Sequence, residues 1–149
     1  MSDPYDYKTI EENLKQSLPT LDGRVVRSIK AQLVGTEVNQ LIIDTDKGCI
    51  AIIPHIGGEV LLLSECDMPE TSKNLQLIDV LVEFRDQKIV QARSLGGAWN
   101  GHGIEIGFEG MPTQTMLVSS VECSENNTET RDALRIGRGL YEIEIQPDT

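Results

Sequence analysis

Aromatic residues make up only 4% of this 149-residue chain, cysteines number three and histidines two, and 13 bases face 24 acids. Each shortage closes off a class of function. A formal net charge of −11 repels phosphate, so direct nucleic-acid binding is not expected. The longest apolar runs, at residues 41–43, 50–53 and 60–63, fall far short of the roughly 20 residues that span a bilayer as a helix. No membrane segment is expected. The cysteines at 49, 66 and 123 are odd in number and contain no C-x-x-C spacing, which argues against a disulfide framework. The N-terminal residues hold no apolar stretch behind a basic start. Together these features point to a reducing cytoplasm. Cys49, inside an apolar run, reads as a small core residue. Cys66 and Cys123 stand beside acids that oppose thiolate formation.

What the chain does have is aliphatic content. Hydrophobic residues reach 39%, enough for a core, and the length suits one domain over residues 1–149. Ile10, Leu14 and Leu18 recur at i, i+4 and i+8, which predicts an amphipathic helix over about residues 6–18, stopped by Pro19. From residue 23 to about 146 the texture is that of strands: short runs rich in Val and Ile alternate with turn residues. Asp44 to Gly48, Arg85 to Lys88 and Gly110 to Thr113 read as hairpin turns. The runs at 41–43 and 50–53 are apolar on both faces and read as central strands, whereas Ile104 to Glu109 and Tyr141 to Ile145 alternate strictly. The expected fold is α+β and mostly antiparallel: a bent meander sheet or small sandwich of about eight or nine strands with an N-terminal amphipathic helix. Strands apolar on both faces need a cover, either the helix or a second copy, so a homo-oligomer is a candidate assembly.

The most unusual segment runs from Leu95 to Gly103. It holds four of the thirteen glycines, the single Trp and one of the two histidines. A loop from Gly96 to Gly103 could present amides to an anion, with Trp99 as a stacking surface, Asn100 beside it and His102 as acid or base. The same residues also describe a wide hairpin turn, which is the more economical reading because Gly is the default residue for such turns. A phosphate-binding loop would need a following helix and a Lys-Ser/Thr ending, and both are missing. His55 and Glu59 alone are too few for a metal site, and no ligand spacing joins them to His102, so no metal or cofactor is expected. No nucleophile elbow or zinc-protease motif occurs, and Ser119-Ser120 reads as a solvated strand face.

Charge is distributed unevenly. Residues 100–149 hold nine acids against three bases. Glu105, Glu109, Glu142 and Glu144 fall on the wet faces of two alternating strands, and if those strands pair they form one acidic face. Such a face attracts a basic partner. Arg131, Arg135 and Arg138 fall at i, i+4 and i+7, which reads as one side of a short helix holding phosphate or an acidic peptide, or bridging to nearby acids. The expected function is a small, acidic, intracellular, non-catalytic domain that binds another protein, with an inhibitor or immunity-type protein as one version. The alternative is a small-molecule-binding domain or minor enzyme using the Gly96 to Gly103 loop.

Overall fold

The computed structural model describes residues 12, 14–34, 37–54, 61–66, 75–98, 101–125, 129–139 and 141–145. Residues 14–17 are helical and run into a 3-10 helix, Leu18–Leu21. Leu14, Leu18 and Leu21 are all buried, so the apolar stripe does face the core. Pro19, which has no N–H to donate, ends the α-helix and is accommodated within the 3-10 turn. The start of the expected helix, including Ile10, lies outside the described residues.

Among the described residues, ten strands follow in two five-stranded antiparallel sheets. The first sheet contains β1 (Val26–Val34), β2 (Glu37–Thr45), β3 (Gly48–Pro54), β4 (Leu61–Cys66) and β5 (Leu75–Asp79), in the order β4-β3-β2-β1-β5. The second contains β6 (Ile89–Ala98), β7 (Gly101–Phe108), β8 (Met111–Glu125), β9 (Glu129–Arg138) and β10 (Tyr141–Glu142), in the order β10-β9-β8-β7-β6. The second sheet is a plain meander. In the first, β5 returns to pair with the far side of β1. The β2–β3 hairpin turns at Asp46 and Lys47, with Gly48 at φ +119°, a conformation that side chains with a Cβ resist.

The sheets pack face to face, β2 and β3 against β9 and β8, and β4 against β7. One continuous core results, with Leu41, Ile43, Ile50 and Ile52 from the first sheet meeting Ile106, Met116, Val118 and Ile136 from the second. The α+β, sheet-dominated fold expected from the strand texture is therefore the fold observed, in its sandwich form. The two-faced apolar strands are interior strands of their sheet, as expected. Ile42 and Ala51, on the face turned away from the second sheet, are also buried within the single chain. Their burial therefore does not call for a second copy.

Three local expectations change. Residues 131–138 are not helical: they belong to β9, because Leu134 and Ile136 alternate into the core and the ladder to β8 claims their backbone. Asp79 to Phe84, whose apolar run also reads as a strand in the sequence, is not one. β5 ends at Asp79, Leu81 turns through a left-handed conformation (φ +51°), and a 3-10 helix, Val82–Phe84, follows. Ser119 is fully buried rather than solvated, because β8 is the middle strand of its sheet.

The sheets meet in two contrasting places. At the first, backbone stitches them together. Gly23 N–H donates to Ile89 O at 2.7 Å, Ile89 N–H to Arg24 O at 2.8 Å, Val26 N–H to Gln87 O at 3.0 Å and Asp86 N–H to Val26 O at 2.8 Å. Phe84, buried beside this seam, stacks on Phe108 with ring centroids 4.4 Å apart. At the second, the C-terminal segment leaves β9 through Gly139 (φ +58°) and runs along the sheet margin. Two registered pairs, Tyr141 with Arg138 and Glu142 with Gly137, hold it, together with Ile143 N–H donating to Ile136 O at 2.9 Å.

Candidate interaction surface

The glycine-rich segment forms a hairpin with far less loop than expected. β6 extends to Ala98 and β7 begins at Gly101, with Ala98 opposite Gly101 and Leu95 opposite Gly103. One extra residue on β6 between these pairs makes a bulge, a deviation that the glycines at 96 and 97 accommodate. Trp99 and Asn100 lie outside the described residues, as does His55. His102 is placed by its backbone on β7, and its side chain lies outside the description. Among the described residues, no three His, Cys, Asp or Glu side chains gather into a metal-binding cluster, and no helix is long and apolar enough to cross a membrane.

Glu105 and Glu142 stand on one face of the second sheet, in the row Glu105, Leu117, Gly137, Glu142, but not on adjacent strands. β7 pairs with β6 and β8, and β10 pairs only with β9, so two strands separate Glu105 from Glu142, about 14 Å at ordinary strand spacing. Each also has a cation. Arg93 sits opposite Glu105 in the ladder and binds it at 2.6 Å, and the Thr115 hydroxyl donates to the same carboxylate at 3.3 Å. Arg135 lies 3.6 Å from Glu142. Glu109 occupies the exposed turn between β7 and β8. Cross-strand pairing has converted a predicted acidic face into alternating charge.

The three arginines separate for the same reason. On a strand, side chains alternate, so Arg131 and Arg135 occupy positions on one face of β9 and Arg138 on the other. Arg138 reaches across to the first sheet, where its guanidinium grips Glu83 of the Val82–Phe84 turn with two nitrogens, one of them 3.3 Å from the carboxylate. The hydrogen bond from Arg138 holds the Glu83 carboxyl below its ordinary range, against the opposing effect of burial, and Glu83 in turn raises Arg138. This pair latches the sheets at their looser junction.

That junction contains two surface concavities, neither of which the sequence disclosed. On one side of the C-terminal segment a cavity of about 490 Å³ is lined by Val38, Leu134, Ile136, Ile143 and Ile145 among others. On the other side an open trough of about 520 Å³ runs between Ile78 to Val82 and Tyr141 to Ile145. Asp79, Glu142 and Glu144 line the trough, and Arg138 is the one basic residue lining it among the described residues. Lys30 at 2.9 Å and Arg85 at 3.5 Å flank Asp79, and the hydrogen bond from Lys30 chiefly lowers its carboxyl. Tyr141 is 84% exposed and Val82 is 54% exposed, two of the three large hydrophobic side chains left open to solvent among the described residues. The alternation of Tyr141 to Ile145 was readable in sequence. Its juxtaposition with residues 78–82 depends on β5 returning beside β1, which no local pattern signals.

No family model, curated protein or solved structure matches the chain.

Proposed function

We propose that this is a non-catalytic protein-binding domain, and that its interaction surface is the trough between Ile78 to Val82 and Tyr141 to Ile145. The observation carrying this reading is the coincidence of exposed Tyr141 and Val82 with Asp79, Glu142 and Glu144 around one concavity. Aromatic anchors at interfaces combine apolar area with a polar tip, and the acids favour a basic partner and steer its approach. Glu83 engages Arg138, as Lys30 and Arg85 engage Asp79 and Arg135 engages Glu142, so Glu144, in no ion pair among the described residues, is the acid most open to a partner. The partner is an extended segment in which basic and apolar residues alternate. An inhibitor or immunity-type protein bound to a basic target is one form of the reading, and a reducing cytoplasm is the setting that the cysteine spacing favours.

The test is fluorescence anisotropy with a labelled peptide of alternating arginine and leucine. Binding is expected to weaken with added salt and to fall about tenfold in a Glu142→Gln, Glu144→Gln double variant. Tyr141→Ala should weaken it further. Equal binding of an alternating glutamate and leucine peptide, or undiminished binding by the double variant, overturns the proposal.

A further inference from the structure

The sequence separates Cys49 and Cys66 widely, yet the β3–β4 ladder sets them directly opposite each other, with Ile50 opposite Glu65 as the next pair. Residues directly opposed in an antiparallel ladder share a face and have Cα atoms about 4.5–5.5 Å apart. That spacing lies inside the range of about 4.4–6.8 Å that a disulfide bridges. Cys49 is a half-buried thiol whose Sγ donates to Asp44 Oδ1 at 3.4 Å across the β2–β3 pair. β4 is the outer strand of its sheet, held by β3 alone among the described strands. Cys123 lies on β8 in the other sheet, opposite Arg131, and has no cysteine in its register.

We propose that Cys49 and Cys66 are a reversible thiol–disulfide pair, a modification site that ties the edge strand β4 to β3. The co-reactant is a low-molecular-weight disulfide. The thiolate of one cysteine attacks a sulfur of that disulfide, forming a mixed disulfide and expelling one thiolate. The second cysteine, losing its proton, attacks the protein sulfur of the mixed disulfide and expels the other. Two protein thiols are oxidised to one disulfide, the small disulfide is reduced to two thiols, and the two protons pass to those products. The hydrogen bond from Cys49 to Asp44 is given up in the process. In a reducing compartment the pair rests as dithiol and closes only under oxidation, the usual behaviour of cytosolic disulfides.

The experiment treats the full chain with glutathione disulfide and follows intact mass and non-reducing peptide maps. The expected product is a monomer that has lost two hydrogens, carries a Cys49–Cys66 cross-link and melts several degrees higher, with dithiothreitol reversing the change. Cys49→Ser and Cys66→Ser should each abolish the cross-link, and Cys123→Ser should leave it intact. Cys49→Ala serves as a second blocking variant, with melting curves confirming that each variant folds. Separate glutathione adducts without a cross-link, or a cross-link through Cys123, overturn the assignment. Peptide binding at the trough is read independently, so neither result decides the other.

Discussion

The two places where the sheets meet are built from different materials. At the seam around Gly23 to Val26 and Asp86 to Ile89, four backbone hydrogen bonds cross between the segments and Phe84 packs on Phe108 in the buried core. At the C-terminal segment, a two-pair ladder and the Arg138–Glu83 ion pair do the joining, with cavities of about 490 and 520 Å³ left on either side. Backbone bonds and interior packing are insensitive to salt and acid, whereas exposed ion pairs weaken under both. The first junction is therefore built for stability. The second keeps open surface where a partner could gain contacts.

Substitutions at the two junctions sharpen or break that contrast. Phe84→Ala should cost about 3–5 kcal/mol, read as a lowered urea midpoint, because it removes a fully buried ring and leaves a cavity. Ile143→Ala should cost only about 1 kcal/mol, since Ile143 is half-buried and already borders open space. If the two losses are equal, the contrast between the junctions fails. Gly139→Ala should cost about 1 kcal/mol as well, because its φ of +58° is left-handed, and the loss should appear as earlier release of the C-terminal segment in hydrogen exchange.

Smaller effects follow from the ion pairs. Glu83 has a lowered carboxyl pKa, so its contribution is present above the unfolded value of about 4.3 and is lost as pH falls through the folded value. Solvent screening limits that contribution to roughly 0.5 kcal/mol. Chemical denaturation should show a stability difference between wild type and Glu83→Gln at neutral pH that narrows below the unfolded value of about 4.3 and closes below the folded one. A difference that persists in acid would assign the effect to packing instead. The smallest change is expected for Arg93→Ala, less than about 0.5 kcal/mol by the same measurement, because Arg93 is exposed on the outermost strand of its sheet.

Much of the body was legible because strands announce themselves by alternation and apolar runs. Ile104 to Phe108 alternates in burial as written, and residues 41–43 and 50–52 are buried on both faces. The segment around Arg135 misled because arginines at i, i+4 and i+7 satisfy a helical period while Leu134, Ile136 and Arg138 satisfy a strand period. Pairing with β8 decides between them. The acidic face is interrupted by cations for a related reason. Wet-face glutamates can be identified from alternation, but whether Arg93 and Arg135 stand beside them depends on register. Of the candidate site, the Tyr141 to Ile145 side was visible and the Ile78 to Val82 side was not.

By itself, the sequence determined the balance of forces. It set an acidic surplus unsuited to phosphate, aliphatic runs too short for a helical membrane span, an apolar stripe through Leu14 and Leu18, and strands that need a two-sided cover. These are properties of side chains and their periodicity, which act locally. Tertiary packing set which strands are neighbours, and with that how far Glu105 stands from Glu142, whether Arg138 meets Glu83, and whether Cys49 stands opposite Cys66. Strand pairing joins residues far apart in the chain through backbone groups that are nearly identical at every position. Its outcome rests on the whole core closing at once.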